Sequence, residues 1–208
     1  MTSIKVVPTG SVVVDSLPFS GAGTLDQADR LECCGVSAVV GYLGVMSVDR
    51  LRYVLDGGLG FMPVTLAGEY EDGAQDELAQ LRALGIPAGV TVWLDLEGMK
   101  AWKDDPVQLC AKIDAWAAPV ADAGYVAGLY CGVPQPLTSK ELGDRPRITR
   151  YWAGQGRQVD RFGNLSEPTA GYCMRQFFPS VTWCGVLLDA NMTGQDYRGR
   201  LPTMLVAG

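Results

Sequence analysis

Val90-Thr91-Val92-Trp93-Leu94-Asp95-Leu96-Glu97-Gly98 is the stretch on which the reading of this chain turns. Its residues alternate as a strand does. Trp93, Asp95 and Glu97 share one face; Val92, Leu94 and Leu96 share the other. The apolar face predicts packing against helices. The other face ends in two carboxylates, about 7 Å apart along an extended chain, just before a glycine that can open a loop. Carboxylates aimed into one space repel each other and lose hydration, a cost that stability alone does not call for. The pattern leaves two readings: a solvated strand end, where Asp and Glu are common, or a pair that does chemistry.

Working outward, the same unit of strand, helix and glycine recurs. Ser11–Asp15 is a β-rich run that ends in a carboxylate. Thr24, with Gln27 as its capping-box partner, starts a helix that runs to about Cys34 and stops at Gly35. Val36 to Leu43 is a strand, and Ser47 caps a helix that runs through Asp56. Phe61 to Leu66 is the next strand, followed by Glu69-Tyr70-Glu71, and Gly73 to Leu84 is a helix. On the far side, Pro106 opens a helix to about Asp122, and Tyr125 to Cys131 is a strand. From Gly132 the rhythm changes. Strands are predicted at Ile148–Ala153, Tyr172–Phe178 and Val186–Asn191, with only one helical turn between them, near Ser139 to Leu142.

Repeated strand–helix units predict a parallel sheet. Eight strands predict an α/β fold, an irregular TIM-type (β/α)8 barrel with helices short or missing in the second half. It is expected to form one domain over residues 1–208. The competing open sheet with a nucleotide site lacks a GxGxxG or GxxxxGK[ST] motif after any strand.

Composition narrows the chemistry. The 208 residues are 48% hydrophobic and 19% charged, with net charge −6 and no histidine. No Ser-His-Asp triad, histidine zinc site or Cys-His pair can form within the chain, so carboxylates are the candidate acids and bases. The acidic balance argues against nucleic acid as a partner, and no apolar run is long enough for membrane insertion. Met1 to Asp15 lacks a signal-peptide pattern, which predicts cytoplasmic synthesis, with release by lysis or virion association as possible routes outward. Of the six cysteines, Cys110, Cys131 and Cys173 lie in apolar segments and are expected to be buried thiols. Cys33-Cys34, at a helix end, is read as core packing ahead of a reactive pair, and no disulfide is expected.

A barrel presents its functional groups at the C-terminal ends of its strands. Asp15 ends the first strand, Asp95 and Glu97 the fourth, and Asp189 with Asn191 the last. The first and last strands become neighbours on closure, so four carboxylates from three strands should ring one mouth. Tyr42, Tyr70, Tyr130, Trp152 and Gln176 occupy other strand ends, and Trp93 lies one layer deeper, as a floor. Aromatic rings and amides around acids suit a sugar cleft. Each aromatic taken singly is also an ordinary core residue; the convergence carries the inference.

Asp15, the Asp95-Leu96-Glu97 pair and Asp189-Ala190-Asn191, in that order, resemble the active-site pattern of family 25 glycoside hydrolases, peptidoglycan-cleaving lysozymes with an irregular (β/α) barrel. Thr24–Gly35, Gly73–Gly89 and Tyr125–Gly132 resemble still more the glycoside-hydrolase-like barrels of actinobacteria and their phages. The likeness spans Val12 to Asn191. It departs at Ser16-Leu17-Pro18-Phe19, and at Gly41, where the relatives often carry Arg. The resemblance implies Glu97 as general acid, and Asp95 or Asp189 as stabiliser of the oxocarbenium-like state or as the group that orients a substrate N-acetyl. It implies a glycan substrate such as peptidoglycan and no cofactor. The acidic cluster leaves a hard cation such as Ca²⁺ or Mg²⁺ as a lesser alternative. The other functional class left open is a non-catalytic glycan-binding or structural barrel module.

Overall fold

The structure, a computed structural model, describes residues 1–15, 25–66, 74–97, 105–132 and 135–208. The first strand, β1 (Thr2–Val6), is followed by β2 (Val12–Asp15), β3 (Val36–Tyr42), β4 (Gly60–Leu66), β5 (Thr91–Asp95) and β6 (Val126–Tyr130). β7 (Arg150–Ala153), β8 (Met174–Trp183), β9 (Val186–Thr193) and β10 (Thr203–Ala207) complete the set. Strands β2 to β9 pair in chain order, and β9 returns to β2, so eight strands close a barrel. Neighbours from β2 to β8 are parallel; β9 runs antiparallel to both β8 and β2. The barrel is mixed, and this corrects the expectation of an all-parallel one.

Helices α1 (Leu25–Cys33), α2 (Val48–Asp56), α3 (Gln75–Ala83), α4 (Pro106–Asp122) and α5 (Ser139–Gly143) follow β2 to β6 in turn. The predicted punctuation is visible where these helices start. The Ser47 hydroxyl accepts from Arg50 N–H at α2. Asp105 accepts from Val107 and Gln108 ahead of Pro106 at α4. Thr138 and Glu141 form a reciprocal capping box at α5. Between β7 and β8 the chain forms no helix. The Thr24 cap lies outside the described residues.

Alternation along each strand divides the apolar residues into two cores. Val14, Val39, Phe61, Leu94 and Leu129 face outward onto Leu31, Leu51, Leu81 and Ile113 of the helices. Val13, Val40, Met62, Val64, Trp93 and Trp152 face inward and fill the barrel. Fully burying one such aliphatic side chain stabilises by about 1.5–3 kcal/mol. The interior is fitted by glycines. A Cβ on Gly128, the cross-strand partner of Trp93, would lie 2.5 Å from the indole. A Cβ on Gly60, which opens β4, would lie 2.2 Å from Met204 Sδ. Met204 and Val206, from β10, join Val7 in closing the barrel floor. The apolar C-terminal segment thus forms a strand, paired antiparallel with β1 along its whole length and with β4 through Leu205 and Phe61. β1 is exposed throughout, so it carries no burial pattern to read.

Three further expectations are corrected. β5 ends at Asp95, and Glu97 sits in the following turn, where its N–H donates to Asp95 Oδ1 at 2.8 Å. Asp189 lies in mid-strand, not at a strand end, because β8 and β9 form one long hairpin. Finally, Cys34 and Cys184 form a disulfide. Cys110, Cys131 and Cys173 are buried thiols as expected, but Cys33 is exposed. Cys34 is exposed just past α1, and Cys184 is half-buried in the tip of a hairpin that the strand pattern did not reveal.

Thiol titration of the denatured, unreduced protein should therefore find four free cysteines, not six. Replacing Cys34 and Cys184 by Ser should lower stability by about 2–5 kcal/mol in denaturant unfolding, since the bridge spans a long loop. Six free thiols in the native preparation would contradict the bridge.

Candidate active site

The inward residues at the C-terminal ends of β2, β3, β5 and β6 are Asp15, Tyr42, Asp95 and Tyr130. β8 and β9 bring Gln176, Asp189 and Asn191 to the same end, since Asp15 pairs directly with Asp189 and Gln176 with Asn191. The structure thus brings together all four predicted carboxylates. Asp189, Asp95 and Glu97 all act on Asp15 as like charges. Tyr70 lies outside the described residues.

Each acid is held differently. Asp15 is buried, and its Oδ1 accepts from Asn191 Nδ2 at 2.6 Å. Burial pushes its pKa up to about 8; the Asn191 bond opposes that shift, and the charges of Asp189, Asp95 and Glu97 reinforce it. At neutral pH Asp15 is thus a carboxylic acid able to donate a proton in a hydrogen bond. Asp95 is also buried. Its Oδ2 accepts from the Tyr42 hydroxyl at 2.9 Å and its Oδ1 from Glu97 N–H. Asp189 is half-buried, and it accepts from Gln176 Nε2 at 2.8 Å and from Ser180 N–H. Ser180 adopts φ 50°, in the left-handed region that non-glycine residues seldom occupy; the bond to Asp189 helps to hold it there. Glu97 is exposed at the mouth, with Oε1 3.0 Å from the Tyr130 hydroxyl.

Tyr130 forms a junction. Its hydroxyl also lies 3.1 Å from Gln176 Oε1. Gln176 uses its NH₂ on Asp189, so its carbonyl faces the phenol as an acceptor. Tyr130 therefore has one proton and two oxygens to give it to. Given to Glu97, the proton meets a carboxylate. Given to Gln176, it meets the amide carbonyl. Burial first, and then the Glu97 charge, holds the Tyr130 pKa far above its ordinary value; burial and Asp95 do the same to Tyr42. Both phenols stay protonated donors at any physiological pH.

The aromatic residues do less for a sugar face than the sequence suggests. Trp93 is 0% exposed and lies a layer below the mouth, edge-on to Trp152 with centroids 5.7 Å apart. Trp152 is buried too. It stacks at a tilt on Tyr130 at 4.3 Å and donates Nε1–H to Asn191 Oδ1 at 2.9 Å. These rings support the polar groups and offer little surface, while Tyr42 is half-buried. Phe177 and Phe178, directly after Gln176 on β8, are exposed, but Phe177 lines a separate cavity with Tyr172, Arg175 and Met192. Sequence reasoning missed Ser180, because the length of the β8–β9 hairpin gave no signal. Among the described residues, no group of three or more acidic, cysteine or histidine side chains is arranged to hold a metal ion.

No protein-family model matches the chain, and no curated protein matches it in sequence. Solved structures do match. The bacterial lysozyme from Streptomyces coelicolor superposes with TM-score 0.62 at 10% identity, over 92% of this chain and 95% of that one. The catalytic domain of endolysin ply40 from bacteriophage P40 of Listeria monocytogenes gives TM-score 0.52 at 15% identity, over 90% and 95%. The likeness expected from the sequence is thus found in the fold, and at these identities it is a likeness of fold alone.

The raised Asp15 pKa has a stability consequence. Its contribution is fully present below the unfolded-state value near 4 and is lost as pH rises through about 8. Wild-type stability should fall across that window by up to about 1.4 kcal/mol per pH unit from this group. Asp15→Asn should flatten the slope, with denaturant unfolding at pH 5 and pH 8 as the measurement. Glu77, wholly buried behind Thr65 and raised to about 7 chiefly by burial, adds a second slope that the variant keeps. An unchanged pH profile in Asp15→Asn would refute the assignment.

Proposed function

We propose that the protein is a glycoside hydrolase that cleaves β-1,4-linked amino-sugar glycan such as peptidoglycan. The whole chain, residues 1–208, would act as one irregular TIM-type barrel domain. The observation that carries this reading is the unequal treatment of clustered acids. Three of them, Asp15, Asp95 and Asp189, are held by fixed donors. Glu97 is the one of the four exposed at the mouth, with the Tyr130 phenol 3.0 Å from its Oε1.

In this reading Glu97 gives its proton to the glycosidic oxygen as the bond to the leaving sugar breaks. The carboxylate left behind accepts the Tyr130 proton. Asp95 lies close by, held by Tyr42 and the Glu97 amide, where as a carboxylate it stabilises positive charge developing at the anomeric carbon or orients a substrate N-acetyl oxygen. Asp189 is the alternative for that role. Asp15, neutral at pH 7, donates a hydrogen bond to a sugar oxygen. Trp152 and Trp93 fix the height of Tyr130 and Asn191 beneath the sugar, and Gln176 and Asn191 supply polar contacts. The fold likeness to a lysozyme and to a phage endolysin supports a wall glycan as substrate and release by cell lysis as the setting.

Purified peptidoglycan incubated with the protein should yield new reducing ends. Glu97→Gln keeps the shape of the side chain and removes its titrating proton. It should be slower by about 10²–10⁴-fold while still binding glycan. Relieved of one like charge near Asp15, it should unfold at the same temperature as the parent or higher. Equal cleavage by the variant would refute the role of Glu97. Glycan binding without any cleavage by wild type would establish the binding-module reading instead.

A further inference from the structure

At the opposite end of the barrel from the acids, the beginnings of β7 and β8 and the turn at 196–200 enclose a cavity of about 210 Å³. Its polar lining includes Arg145, Thr149, Thr169, Arg198 and Arg200. Thr149 directly precedes β7, and Thr169 lies five residues before β8. In a protein of net charge −6, three guanidinium groups around one small cavity call for an explanation.

Structural pairing accounts for only part of them. Arg145 Nη1 donates to Asp114 Oδ2 at 2.6 Å and to Cys110 O at 3.0 Å, but its Nε is buried without an acceptor. Arg200 places Nε and Nη2 on Asp196 Oδ2, both at 2.8 Å. Asp196 Oδ1 also accepts the N–H groups of Arg198 and Arg200, which fixes the turn that carries both arginines. The Arg198 side chain has no hydrogen bond or ion pair among the described residues. Three positive charges thus meet two carboxylates, Asp114 and Asp196. The third, Arg198, is exposed and bound to neither carboxylate, and with Thr149 and Thr169 it lines the cavity; within the Arg145–Asp114 pair, Arg145 Nε and Asp114 Oδ1 are both buried without partners. A buried donor without an acceptor costs free energy that no local packing recovers.

We propose that this cavity is an anion site for a phosphoryl group. Arginine forks and hydroxyls match tetrahedral phosphate oxygens, which offer several acceptors at once. The acidic mouth at the other end repels such a ligand. The proposal is independent of glycan cleavage. It would stand if the barrel proved non-catalytic.

The test uses the whole chain. Inorganic phosphate is titrated at constant ionic strength, with sodium chloride as the control, and read by calorimetry and thermal unfolding. Saturable binding at millimolar phosphate or below, with a rise in melting temperature that chloride does not give, is expected. Arg198→Ala removes a partner-free side chain and should fold normally. It should weaken phosphate binding by about tenfold or more, as the loss of a charge-assisted hydrogen bond implies. Thr149→Val should also weaken binding. Glycerol phosphate distinguishes the source of the group: tighter binding than phosphate assigns the site to an organic phosphate ester, and equal or weaker binding to the free ion. No saturable binding of either probe overturns the proposal. So does binding that neither variant alters, since the anion then sits elsewhere.

Discussion

Laying β9 antiparallel on β2 closes the barrel, and that closure sets Asp15 directly opposite Asp189. Like charges in a cross-strand pair are unfavourable, so the rest of the mouth is organised around making this pair tolerable. Asp15 is neutralised by burial and steadied by Asn191. Asp189 takes donors from Gln176 and from the Ser180 amide. Asn191 reaches further, accepting from Trp152 and donating to Val13 O, so the same amide binds strand β2, strand β7 and the acid. Removing either acid would relieve this repulsion.

The site rests on interior packing. Trp93 fits only because its neighbour on β6 is Gly128, and Trp152 and Tyr130 then stack above it. From the floor residues Met204 and Val206, beside the hydrogen-bonded Thr91 and Thr203, to the phenol of Tyr130, the interior passes from mainly apolar to polar over a few layers. The gradient places poorly hydrated acids next to a low-dielectric core, where hydrogen bonds and charges act most strongly.

Much of this was legible in the chain. Alternation in Val90–Gly98 placed Trp93 and Asp95 inward, and the cap at Ser47 and the helix start at Pro106 came from short-range chemistry that needs no tertiary context. The direction of β9 was not legible, because a strand has the same pattern whichever way it runs. Nor was the exposed β1, or the pairing of Cys34 with Cys184, since neither partner carries any local mark of the other. The tryptophans were located correctly, but a sequence shows no depth. It could not separate a ring that floors a cleft from one sealed beneath it. Glu97 was placed on the acid face by extending the strand two residues too far. The turn made by Asp95 and the Glu97 amide returns it to the same mouth.

The Cys34–Cys184 bridge, with its sequence separation of 150, makes a covalent ring of most of the barrel. Strands β3 to β8 lie inside that ring, while β2 and β9, which meet at its seam, lie outside it. A protease that cuts any one connection within the ring cannot set a fragment free. The two ends stay tethered at high effective concentration and can return to register. A single cut would then be a repairable event, and integrity would depend on the redox state of the surroundings as much as on the packing of the core.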